Sequence, residues 1–158
     1  MELNFSDYIN DSVRILIILG AVKDKKASDM TEQRIMLYDY YLKFPLTMMD
    51  SFDGSLIELQ TLDEYYSFFH WQPDIIRYRQ SINYLISKGF IEKKAGNKHP
   101  FFLITERGSE ALSRVNSQYK SRMEKQMHNL VPSISKLSNT KIDTIIRQKS
   151  NILLRNGR

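Results

Sequence analysis

Residues 73–108 read PDIIRYRQSINYLISKGFIEKKAGNKHPFFLITERG, and their pattern decides the fold. Ile75, Tyr78, Ile82, Leu85 and Ile86 recur at the i, i+3, i+4 spacing of a helix with one buried face. Lys88-Gly89 ends that helix, with a cation in its last turn and a glycine free to take positive φ. Phe90-Ile91-Glu92 opens a strand, and the stretch 93–99, holding Gly96-Asn97, is a hairpin loop. Pro100 through Ile104 returns as the partner strand. Thr105 then caps a new helix whose N-terminal dipole Glu106 complements.

Helix, tight turn, strand, basic loop and strand is the order of the third helix and wing in a winged helix-turn-helix. The expected class is therefore mainly α with a small β-hairpin: a winged helix-turn-helix domain, then a long helix and a C-terminal amphipathic segment. If the apolar residues of the helix face inward, Arg77, Gln80, Ser81, Tyr84 and Lys88 face outward. In a DNA reader of this build the helix enters the major groove and the wing meets phosphates. Arg77 and Gln80 are then candidates for base edges, and Lys88 for phosphate. Lys93, Lys94, Lys98 and His99 form a donor cluster on the wing. Winged helices also dock proteins through the same face, and fold alone does not choose between the two uses.

Outward from this stretch, residues 13–22 (VRILIILGAV) are apolar on nearly every side, so this helix belongs in the centre of the fold. Asp11 or Ser12 is its N-cap candidate, and residues 1–10 read as a loose arm whose Phe5, Tyr8 and Ile9 could dock on a partner. Arg14 is the one charge in the helix, expected to snorkel to the surface. A second helix follows caps at 28–32, with Ile35, Leu37, Tyr38, Tyr41 and Leu42 on its apolar face. It ends at Phe44-Pro45.

Residues 45–72 are the least regular, and Tyr65, Tyr66, Phe68, Phe69 and Trp71 cluster there with no basic residue between them. That composition favours core or a protein interface over a stacking platform for bases. After the wing, residues 109–130 read as one long helix with Ala111, Leu112, Val115, Tyr119, Met123 and Met127 as its stripe, ended by Val131-Pro132. The expected division is residues 1–132 as the winged-helix-like domain with its long helix, and 133–158 as a basic amphipathic tail. Ile142, Ile145 and Ile146 of that tail are candidates for a partner surface.

The net charge of +5 over 158 residues is unevenly placed. Residues 1–113 hold 13 Lys/Arg against 16 Asp/Glu, whereas 114–158 hold 10 against 2. The basicity of the last third suggests an anionic partner, either nucleic acid or an acidic protein surface, though a solvated tail has the same composition. With no cysteine, thiolate metal sites and disulfides are excluded, and a reducing cytoplasmic setting is natural. The longest apolar run is far too short for a bilayer, and the N-terminus lacks the pattern of a secretory signal. There is no phosphate-binding glycine loop, nucleophile elbow or HExxH. His70, His99 and His128 lie on different elements with no ligand spacing, and solvated loop carboxylates are the simplest reading of Asp63-Glu64 and Asp50/Asp53. No catalytic residue, cofactor or metal is expected.

Several pieces together are similar to a known family. They are RILIIL at 14–19, LYDYYL at 37–42, INYLISKGFI at 82–91, Phe102-Leu103-Ile104-Thr105, Ser117-Gln118-Tyr119 and Leu130-Val131. In order and spacing the chain resembles the small middle components of bacterial ABC-three-component systems, the group that includes the Lamassu anti-phage and anti-plasmid operons. The likeness covers most of 11–131 and leaves 45–73 and the stretch beyond Pro132 unmatched. It implies a non-catalytic adaptor between an SMC-like coiled-coil ATPase and an effector, often a nuclease, with DNA held by the assembly. The alternative is a stand-alone winged-helix transcription regulator that dimerises through 109–130. A third reading is a docking module with no DNA contact.

Overall fold

The structure, a computed structural model, describes residues 5–25, 30–48 and 74–156. Its centre is α1 (Phe5–Ala21). Ile15, Leu16, Ile17, Ile18 and Leu19 are each at most 5% exposed, so every side of the helix is covered over these five residues. Each such side chain contributes about 2 kcal/mol of burial. The cover comes chiefly from α2 (Glu32–Lys43), α4 (Ile75–Ser87), α5 (Glu106–Arg114) and α6 (Gln118–Ile134). A short α3 (Pro45–Met48) and α7 (Asn139–Asn156) complete the helical part.

The helix, turn, hairpin and capped helix expected of this stretch are present over 74–108, though Lys93 and Lys94 belong to the first strand rather than to the hairpin loop. Local hydrogen bonds explain the order. The Asp74 carboxylate caps α4 by accepting from the Arg77 amide at 3.0 Å. At the other end Gly89 takes φ 71°, its amide donates to Ile86 and the Phe90 amide donates to Leu85. That pair of bonds closes the helix on a left-handed residue. Strands β1 (Ile91–Lys94) and β2 (Phe101–Ile104) then pair antiparallel, with Ile91 opposite Ile104 and Lys94 opposite Phe101. A bridge between Thr31 and Phe101, with the Phe102 amide donating to Met30, ties the segment before α2 to the hairpin. Thr105 caps α5, its hydroxyl accepting from the Gly108 amide and donating to the Gly89 carbonyl. A Cβ at Gly108 would stand 2.0 Å from the Phe90 carbonyl oxygen, so only glycine lets α5 lie this close to the turn.

Several expectations are corrected. The N-terminal segment is helical from Phe5, and Asp11 and Ser12 sit buried inside α1 rather than capping it. The Tyr8 ring meets Tyr84 edge-on, with centroids 5.5 Å apart, and its hydroxyl donates to the Gln80 carbonyl. The stretch 109–130 is not one helix. Val115 leaves helical backbone, and the Ser117 hydroxyl starts α6 by accepting from the Lys120 amide. Pro132 does not stop α6, which runs on to Ile134. A proline near the end of a helix removes only one backbone bond, and the buried Leu130, Val131 and Ile134 hold the last turn.

The stretch beyond Pro132 is part of the core. Ile142 and Ile146 of α7 are fully buried, and α7 packs on α2 and α3. This covering also explains why eight of the twelve residues of α2 are buried.

Candidate functional site

The inward face of α4 is Tyr78, Ser81, Ile82 and Leu85. Ser81, expected outside, is fully buried, while Ile75, expected inside, is 45% exposed at the helix start. The outward face carries Ile76, at 70% exposure, with Arg79, Gln80, Asn83, Tyr84, Ser87 and Lys88, and the Arg79 Nε donates to Glu32 at 3.0 Å. Lys88 leans over the Tyr84 ring, 5.7 Å from its centroid. Arg77 is half-buried and its Nε donates to Asp11, so its charge is spent within the molecule. On the hairpin, Lys93, Lys94, Lys98 and His99 are all exposed. Lys94 lies 3.4 Å from the Glu92 carboxylate, whereas Lys93 and Lys98 have no ion-pair partner among the described residues.

Beneath α4 lies a polar network. Arg14, instead of reaching the surface, is 6% exposed. Its Nε donates to Asp39 at 2.6 Å, one terminal nitrogen donates to the Tyr119 hydroxyl at 3.0 Å, and the other donates to Asp11. The Tyr78 hydroxyl also donates to Asp39, and the Lys43 ammonium stands 3.4 Å from the same carboxylate. Two buried aspartates are thus shared among Arg14, Arg77 and Lys43, joining α1, α2, α4 and α6.

Burial alone would raise the Asp39 carboxyl, but the charges of Arg14 and Lys43 and the bonds from Arg14 and Tyr78 hold it below its usual range. Burial would lower Arg14, yet Asp39 beside it keeps it firmly charged. Burial and the neighbouring Asp39 carboxylate push the Tyr78 hydroxyl well up. These three shifts keep Arg14 and Asp39 charged and Tyr78 neutral across the neutral range.

A second buried arginine works on backbone. Arg34 is 6% exposed and donates to the carbonyls of Ile134, Ser135 and Leu137 and to the Asn139 side chain. It satisfies the end of α6 and anchors the turn into α7.

The candidate DNA-contacting residues Lys88, Lys93, Lys94 and Lys98 are thus exposed, Gln80 is exposed with its carbonyl engaged by Tyr8, and Arg77 is tied down. Of the candidate interface residues, Tyr65, Phe68, Phe69 and Trp71 lie outside the described residues. Ile142 and Ile146 serve this chain's own core, and Ile145 is half-buried beside them. Arg14, Asp39, Asp11 and Tyr119 were missed as a group. The one available signal was that RILIIL, LYDYYL and Ser117-Gln118-Tyr119 contribute Arg14, Asp39 and Tyr119 respectively.

Over the described residues the chain is mainly helical with one hairpin, and its buried charges join its helices. The model of the family described as ABC-three component (ABC-3C) system Middle Component 2 matches residues 4–156, and the chain belongs to this family. The match takes in both 45–73 and the stretch past Pro132. Membership makes the chain one component of a multi-subunit system, in keeping with a defence role. No curated protein and no solved structure matches the chain. Among the described residues, no group of three or more His, Cys, Asp or Glu is placed to hold a metal ion. No described helix is long and apolar enough to cross a membrane.

Proposed function

We propose that this chain is a non-catalytic adaptor of its ABC-three-component system, a winged-helix module bridging an SMC-like coiled-coil ATPase and an effector nuclease. The element order supports the winged-helix reading: α1, the bridge at Thr31, α2, α4, then the hairpin. The observation that carries the adaptor reading is the state of Arg77. Arg77 is bound to Asp11 and the exposed Arg79 is paired with Glu32, leaving an α4 face of Ile76 and Tyr84 with neutral Gln80 and Asn83. Aromatic and aliphatic side chains among neutral polar ones suit protein docking. The wing lysines Lys93, Lys94 and Lys98 would touch DNA backbone without reading sequence.

Tagged protein co-expressed with the products of neighbouring genes tests this. Stable co-purification with a long coiled-coil ATPase is expected, and its absence would refute the adaptor reading. Replacing Lys93, Lys94 and Lys98 with alanine should reduce DNA retention by the complex equally across sequences. The salt dependence should become shallower by about one unit of slope for each phosphate that is no longer neutralised. Unchanged retention would leave protein docking, without DNA, as the role of the hairpin.

A further inference from the structure

A cleft of about 550 Å³ opens between the carboxyl end of α1, α5 and α6. It is separate from the outward face of α4. Its floor is apolar, made by Ile17, Ala21, Ile104, Leu112 and Val131, with Gly20 adding no side chain. Its edge is basic. Lys23 and Lys25 stand exposed in the turn after α1, and Lys120 comes from the first turn of α6. Glu124, 3.8 Å from Lys120, is the one acid among the lining residues.

We propose that this cleft docks an amphipathic helix of a partner subunit, one that sets Leu- or Phe-type side chains on the floor and Asp or Glu toward the lysines. Charge complementarity selects the occupant. A compact anion needs donors converging on one point, whereas Lys23 and Lys25 stand exposed in the turn after α1 and Lys120, its side chain 14% exposed on α6, already lies 3.8 Å from Glu124. A helix laid between helices presents anchors at i, i+3 and i+4, with acids flanking them, which is the pattern the cleft complements. The inference rests on the subunit reading only for the source of the helix.

The chain has no cysteine, so Ser113→Cys on the exposed rim gives one attachment point. With an environment-sensitive dye there, the isolated full chain is titrated with a synthetic amphipathic helix bearing Leu and Phe on one face and Glu on its flanks. Saturable binding is expected. A peptide with Lys in place of Glu should not bind. Lys23→Glu/Lys25→Glu should weaken the acidic peptide at least tenfold with unchanged thermal unfolding. No binding, or equal binding of both peptides, overturns the inference whatever the fate of the adaptor reading.

A benzophenone at the same position, irradiated in the assembled complex, should crosslink an acidic helical segment of a partner subunit. A complex that assembles with no such crosslink, or with one to a basic segment or to this chain itself, overturns the inference while leaving the adaptor reading standing. Failure of any complex to form refutes the adaptor reading, and the peptide titration then decides the cleft.

Discussion

Replacing Arg14 with methionine keeps most of the apolar stem of the side chain but removes the guanidinium at the centre of the buried network. Asp39 then loses its bond at 2.6 Å and keeps Tyr78 and Lys43, whose side chain is 36% exposed and so a weaker, partly screened partner. Asp11 keeps Arg77, and the Tyr119 hydroxyl loses its donor. Removing one member of a buried ion pair costs about 3–5 kcal/mol, most of it from the stranded opposite charge. A chain of this size loses about 2–4 °C of Tm per kcal/mol, so a drop of roughly 6–20 °C follows. Thermal unfolding followed by helical circular dichroism measures the drop, and urea unfolding measures the free energy. The cycle is completed with Asp39→Leu and the double variant. Once Asp39 is gone, methionine at 14 strands less charge, so the two losses should fall short of additive by about 2 kcal/mol. A single-variant loss under about 1 kcal/mol, the range of exposed pairs, would refute the claim that these charges are held away from water.

Acid should act through the same carboxylate. Asp39 is held below its usual value, so the unfolded chain binds the extra proton. Its contribution is therefore present above the unfolded value of about 3.9 and lost as pH falls through the lower folded value. Asp39→Asn should be less stable at pH 7 and show a shallower decline below about pH 4; an unchanged acid limb in urea titrations would contradict this. Gly108→Ala should destabilise by more than about 2 kcal/mol, since it forces a Cβ onto the Phe90 carbonyl. A Tm within 3 °C of the parent would show that α5 can shift freely. Ile146→Ala in α7 should cost about 2–5 kcal/mol with a single unfolding transition. A negligible cost would mean that α7 lies outside the cooperative core.

What could be read in the sequence was what is decided locally. The Gly89 turn and the Thr105 cap are settled by hydrogen bonds within a few residues, and each was visible as a residue type at its proper offset; the Asp74 cap is equally local but was not read. An unbroken apolar run likewise marked the centre of α1, and spacing the apolar face of α2. Spacing did not show the break before α6, because Leu112, Val115, Tyr119 and Met123 keep apolar spacing across residues 115–117. The fate of the charged residues was not legible. Arg14 meets Asp39 25 positions away and Tyr119 105 positions away, and Arg34 meets carbonyls about 100 positions on. A charge on an apolar helix snorkels or pairs according to what lies across from it, and no local rule supplies that neighbour. The spacing of Ile142 and Ile146 showed an apolar face but not that α2 and α3 cover it.

The network also bears on how the outward face of α4 is chosen. Apolar side chains alone would hold α4 on α1 with little preference for its rotation, since dispersion and burial are non-directional, and an apolar replacement of a buried ion pair is often no less stable. The bonds from Tyr78 to Asp39 and from Arg77 to Asp11 are directional and lie one residue apart on the helix. A turn of α4 that brought Arg77 outward would leave Asp11 with Arg14 alone and pull Tyr78 from Asp39. The charges buried under α4 therefore set which side chains it shows, Ile76 and Tyr84 rather than Arg77. In the adaptor reading that choice separates a face for proteins from a face for bases. The same α1 that carries Asp11 ends at the cleft, with Gly20 roughly 14 Å further along at 1.5 Å per residue. Ile15 to Leu19 lie fully packed between the two, so both surfaces are fixed on one rigid element, as bridging two partners requires.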